Sequence, residues 1–285
     1  EYGMTLQNEF IYNVRVVKCT NHVDADDNKR CDYCNTDLLN DAVATLTTGG
    51  KTYYYTDLPA AVATANVKGG IVTLLDDVTL SETLIIGNFK SIILDLNGHS
   101  ITRPSTAASE SGNDYLLRID GYAEITIRDS SEEKTGTIES QVPGGYPVSV
   151  MLCTLTIEGG TFKGTYDAQN DIQHALYARN GTDLIIKDGT FLGRVTFGGN
   201  SAGISGGTFD ALINNGRHGY GSDRSIGSLL ANGYTFKSTA EDGTWLTEQQ
   251  LAQKTANNIT AVAAPIQSVT LTSDAENNTV EYGTS

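Results

Sequence analysis

The sequence predicts an all-β chain wound as a right-handed parallel β-helix, with short capping helices and a small N-terminal Cys/His module. Three observations carry that prediction. Short runs of Val, Ile, Leu, Thr and Tyr recur throughout, broken by Gly, Asn and Asp, in a chain of 285 residues with 30 glycines and only 5 prolines. A glycine-cornered strand unit repeats along the chain. One of its intervals is too short for a four-stranded propeller blade, which leaves stacked coils as the way to bury each unit's apolar face.

The unit is an apolar residue, four small or polar residues including Gly, and a second apolar residue. Leu96-Asn-Gly98-His-Ser-Ile101, Ile157-Glu-Gly159-Gly160-Thr-Phe162, Ile186-Lys-Asp-Gly189-Thr-Phe191 and Ile204-Ser-Gly206-Gly207-Thr-Phe209 are the clear copies, and Ile127 to Ile138 is a looser one. The leading positions 96, 127, 157, 186 and 204 fall at intervals of 31, 30, 29 and 18 residues. Stacking is expected to align Ile157, Ile186 and Ile204 in one ladder and Phe162, Phe191 and Phe209 in another. Asp129 and Asp188 fall in corners, where a carboxylate caps turns. Cys153, within a Val/Met/Leu strand, reads as a buried core thiol.

Open coils need caps. Residues 57–65 read as a short helix with Asp57 or Leu58 at the N-cap and Pro59 in the first turn, ahead of a first coil strand at Gly70–Leu75. Thr247-Glu-Gln-Gln250 matches a capping box. The expected divisions are 1–45 for the Cys/His module, 46–246 for the β-helix, 247–264 for a short helix and linker, and 265–285 for the start of a further β-domain. The chain begins at Glu1 and stops within a strand pattern at Ser285, so it is expected to be a fragment of a longer protein.

Charge narrows the partners. A net charge of −15 with no basic run argues against nucleic acid and anionic membranes. No apolar run approaches the roughly 20 residues of a membrane span, so membrane insertion is not expected, and the chain is expected to be monomeric.

Several stretches carry a resemblance. Val72-Thr-Leu-Leu-Asp-Asp-Val-Thr-Leu80, Ile93 to Ile101, the Gly-Gly-Thr-Phe corners and Ser228 to Tyr234 resemble the β-helical (pectin-lyase-like) domains of Gram-positive bacterial cell-surface proteins. The resemblance covers about residues 45 to 245. It implies a β-helical fold and a secreted or wall-attached context, and it does not specify an activity; adhesion or ligand binding on the rigid scaffold is the expected role. In such proteins, segments like Ser268 to Thr272 and Val280 to Gly283 often open immunoglobulin-like modules.

The most chemically loaded segment is Cys19 to Cys34. Cys19, His22, Cys31 and Cys34 stand as Cys-x2-His and Cys-x2-Cys pairs separated by a loop, the arrangement of a closed tetrahedral zinc site, which would be structural. The segment also resembles short Cys/His/Asp-rich modules of the same surface proteins. Two alternatives stand beside zinc. Asp24, Asp26, Asn28 and Asp32 fall at positions 1, 3, 5 and 9 of an EF-hand-like calcium loop, but Lys29 replaces its Gly and Asn35 its bidentate Glu. A disulfide is the other, if the protein is exported.

The long intervals come from insertions between coils, which a solenoid gathers on one side. Tyr166, Tyr177, Arg179, His218 and Tyr220 in them suit stacking and hydrogen bonding to a glycan or a host surface protein. The competing reading is ordinary solvated loops, with tyrosines packed on the coil beneath. Parallel β-helices also host glycosidases and polysaccharide lyases. Asp167 and Asp171 with His174 are the candidates for a glycosidase, and Arg217 for a lyase base, though no signature of either accompanies them. Fold alone grants no activity. A pure spacer is the third reading.

Overall fold

A computed structural model of the chain describes residues 22–24, 29–38, 40–107, 114–216, 224–240, 243–265, 270–272 and 279–281. These residues are mostly β, in one large and mostly parallel sheet with few helices.

The sheet opens with antiparallel strands. β1 (His22–Asp24) pairs with β3 (Lys51–Tyr55), and β3 pairs with β2 (Ala44–Thr48). Helix α1 (Leu58–Lys68) follows, with the Asp57 carboxylate accepting from the Ala60 amide at 2.8 Å and Gly69 closing the other end at φ 71°. Leu58, Ala61, Val62 and Ala65 are its buried face. The expected cap is therefore present, one turn longer than the sequence suggested. β2 then pairs antiparallel with β4 (Gly70–Leu74), so the first parallel strand has no open edge on that side.

From β4 onward the strands come in triplets. The first holds β5 (Val78–Thr79) and β6 (Leu84–Gly87); the second holds β7 (Ser91–Asp95), β8 (Ser100–Arg103) and β9 (Tyr115–Asp120). The third is β10 (Glu124–Arg128), β11 (Thr137–Pro143) and β12 (Tyr146–Val150). In the next, β13 (Thr154–Thr165) runs through two positions and β14 (His174–Ala178) supplies the third. β15 (Asp183–Phe197) covers all three, and β16 (Ser201–Ile204) and β17 (Thr208–Asn214) finish the series.

Corresponding strands pair in parallel into three ladders. The first aligns Val72, Leu94, Ile127, Ile157, Ile186 and Ile204. The second aligns Val78, Ile101, Ile138, Phe162, Phe191 and Phe209. The third aligns Leu84, Leu117, Val148, Leu176, Val195 and Leu212. All these residues are buried and belong to one hydrophobic cluster. The expected Ile and Phe ladders are thus present, and they extend toward the N-terminus.

One register differs from the sequence reading. Leu94, not Leu96, stands on Ile127, because the corner before Ile101 is two residues longer than the later Gly-Thr-Phe corners. Leu96 instead fills the bend between ladders. A Cβ on Gly160, which has φ 96°, would meet its Cδ1 at 2.8 Å, and a Cβ on Gly136 would meet its Cβ at 2.6 Å. Glycine at those two places is what lets a leucine occupy the corner.

Corner carboxylates carry the turns, as expected of Asp129 and Asp188. Asp129 accepts from the Gly98 amide at 2.8 Å, the Gly136 amide at 2.6 Å, and the Ser131 amide and hydroxyl at 3.1 and 2.8 Å. Asp188 accepts from the Gly189 amide at 2.7 Å. Burial opposes ionisation of Asp129, but its donors outweigh burial and hold the carboxyl below the usual value.

The far end closes antiparallel again. β18 (Tyr234–Ser238) and the four-residue α2 (Glu248–Leu251), with the expected Thr247 capping box, precede β19 (Thr255–Ala263). β19 pairs antiparallel with both β17 and β18. The stretch expected as a linker is therefore largely a strand: Ile259 and Ala261 alternate into the core beside Phe209 and Phe236. β20 (Thr270–Thr272) and β21 (Thr279–Glu281) form a separate antiparallel pair.

Candidate functional site

Three of the insertions leave the second ladder and enter the third: those after β8, β11 and β13. They share one corner, and the third ladder beside it carries the aromatic residues. Tyr146 stands on Tyr115 in register, with ring centroids 5.4 Å apart. The His174 ring stacks on Tyr146 at 3.8 Å and 19°. Tyr177 stacks on the same tyrosine at 5.7 Å and 24°, and the Arg179 guanidinium lies 5.7 Å from the Tyr177 ring centre.

Beside this stack lies an open groove of about 380 Å³, lined by Tyr146, His174, Tyr177, Arg194, Asn215 and Lys254 among others. The third ladder supplies Tyr146, His174, Tyr177 and Arg194. Asn215 follows directly on β17, and Lys254 reaches the groove from the C-terminal closure, its carbonyl accepting from the Asn214 amide at 2.9 Å. His174 is buried and its Nδ1 has no hydrogen-bond partner among the described residues. Burial, with a smaller push from the Arg194 charge, lowers its pKa from 6.5 to about 4, so the ring is neutral at pH 7. Burial and the neighbouring Tyr115 and Tyr177 raise the Tyr146 hydroxyl.

The other sequence candidates lie elsewhere. Asp167 and Asp171 sit on the exposed turn before β14 and do not line the groove. Asp167 accepts from the Asn170 side chain at 2.6 Å and the Gln169 amide at 2.9 Å, and both lower its pKa. Asp171 accepts the Tyr166 hydroxyl at 2.7 Å. These bonds shape the turn that carries Ile172 to the groove wall. Arg217, His218 and Tyr220 lie outside the described residues. Arg194 and Lys254 were not among the sequence candidates; counting along the ladder from His174 to its partner Arg194 would have found the first.

The Cys/His segment forms a second candidate centre. His22 on β1 and the Cys31–Cys34 turn bring one nitrogen and two sulfurs within 4.8 Å of one another. The turn is held by Cys31 N to Thr36 O at 2.9 Å and Asn35 N to Cys31 O at 2.7 Å, with Asn35 at φ 56°. Cys34 Sγ is 3.4 Å from His22 Nδ1. A tetrahedral zinc with bonds of about 2.3 Å to sulfur and about 2.05 Å to nitrogen sets that edge at roughly 3.6 Å. The ligand set therefore fits a metal ion. Cys19 lies outside the described residues, as do Asp26 and Asn28. Asp24 is buried and accepts from the Lys29 amide at 2.8 Å, and Asp32 is exposed. Cys153 is buried in the main core, and burial raises its thiol pKa.

No protein-family description, curated protein or solved structure matches this chain.

Proposed function

We propose that the three ladders are the faces of a right-handed parallel β-helix, and that this scaffold belongs to a bacterial surface protein that binds glycan on its third face. The single cluster joining inward residues of all three ladders supports the solenoid, since each face needs the other two to bury its apolar side. The aromatic stack of Tyr115, Tyr146, His174 and Tyr177 beside an open groove carries the binding reading. Stacked rings with one polar edge suit the apolar face and hydroxyl rim of a sugar. Binding is favoured over cleavage because no carboxylate lines the groove among the described residues, whereas glycoside hydrolysis usually takes a pair of them.

In the same reading His22, Cys31 and Cys34, with Cys19 as fourth ligand, hold a structural zinc ion. Its place beside β1 would fasten the N-terminal segment to the antiparallel cap.

Saturation-transfer NMR with an oligosaccharide mixture tests the binding reading. Transfer to sugar ring protons that disappears in Tyr177→Ala, with the fold intact by circular dichroism, is the expected result. Unchanged transfer in that variant would remove the groove from the account.

A further inference from the structure

The groove's charge is at odds with that of the chain. The protein carries a net −15, yet the titratable groups lining the groove are Arg194, Lys254, His174 and two tyrosines. Ion pairs elsewhere engage Arg103, Arg118, Arg128, Lys163 and Lys187 with carboxylates. Among the described residues neither Arg194 nor Lys254 has a carboxylate within salt-bridge distance. Two cations with no paired carboxylate among the described residues thus line one cavity of an acidic chain, whose net charge would otherwise repel an anion.

Resting on the glycan-binding reading, we infer that the groove selects an anionic glycan, one whose carboxylate or sulfate is received by Arg194 and Lys254 while a sugar ring lies against Tyr146 and Tyr177. A guanidinium presents a planar fork of N–H donors to such a group, and an ammonium in the same groove adds a point charge. Because His174 is neutral, the groove's positive charge rests on those two side chains. Asn215, in the groove lining, supplies an uncharged polar group for hydroxyls.

The test is titration calorimetry at fixed salt with matched oligosaccharides. These are a uronate-containing chain and its methyl ester, a sialylated chain and its neutral parent, and a sulfated chain. Polyglutamate serves as a non-glycan anion. The proteins are the full chain, Arg194→Gln, Lys254→Gln and Lys187→Gln, the last removing an equal charge from the Glu158 ion pair outside the groove. The inference expects acidic glycans to bind at least about tenfold tighter than their neutral counterparts, with each groove substitution costing about tenfold and Lys187→Gln little. Comparing the uronate, sialylated and sulfated arms identifies the anion.

Equal binding of acidic and neutral chains, unaffected by Arg194→Gln, overturns this inference and leaves glycan binding standing. Polyglutamate binding as tightly as any glycan overturns the glycan class while keeping the cationic groove. No binding of any sugar overturns both readings.

Discussion

The rings of Phe191 and Phe209, partners on adjacent parallel strands, lie 4.9 Å apart and 3° from parallel. Phe162 continues the stack below at 4.9 Å, and Phe236 closes it above, edge-on at 87°. All four are fully buried. Phe191 is held between two stacked neighbours, and Phe209 joins the column to the C-terminal closure. Phe191→Ala is expected to cost about 3–5 kcal/mol in urea unfolding, because it leaves a cavity between two rings that cannot both collapse into it. Phe191→Leu, keeping most of the volume, should cost clearly less.

Asp129 predicts a loss of stability in acid. Its pKa is lowered in the fold, so its contribution is complete above the unfolded value near 3.8 and vanishes as pH falls through the lower folded value. The urea midpoint should therefore drop in that window. Asp129→Asn should remove this part of the slope and cost about 1–3 kcal/mol at pH 7, since its amide group would set a donor against a backbone N–H.

His174 acts at higher pH, with the opposite charge logic. The unfolded chain binds its proton near pH 6.5, while the folded ring, under Tyr146 and facing Arg194 and Tyr177, binds it only near about 4. The unfolded state thus holds more protons between those values, and stability falls as pH drops through them. The size is about 3 kcal/mol at most. His174→Phe keeps a stacking ring and should flatten that interval, which unfolding midpoints at pH 7 and pH 4.5 would show.

The Cys/His segment predicts a metal-linked transition. The zinc reading expects about one equivalent by elemental analysis and a Tm lowered by chelator. Cys34→Ser should reproduce the chelator effect and remove its further action. A thiol titration that finds Cys31 and Cys34 oxidised, with less than half an equivalent of metal, contradicts it.

Much of the fold was legible because burial repeats. Phe162, Phe191 and Phe209 follow the same glycine corner, so one alignment set both the ladder and its direction. Leu96 misled because it is as buried as Leu94, yet points into a corner whose extra length leaves no mark in the pattern. The groove was half legible. His174 and Tyr177 stood out as insertion residues, but Arg194 lies inside an unbroken strand and reads as an outward side chain. Lys254 reaches the groove through the antiparallel return of β19 onto β17, a pairing of Thr208 with Thr260 that no local spacing announces. Asp167 and Asp171 had the composition of a catalytic pair, while their hydrogen bonds give them the work of a turn.

The central claim is that the third face retains glycan without cutting it. Incubating the chain with a mixed host and plant glycan library, and following both depletion and new species by mass spectrometry, tests this most directly. The account predicts selective depletion by the unmodified protein, no new products, and no depletion by Tyr177→Ala. New cleavage products, or depletion that survives Tyr177→Ala unchanged, would contradict it.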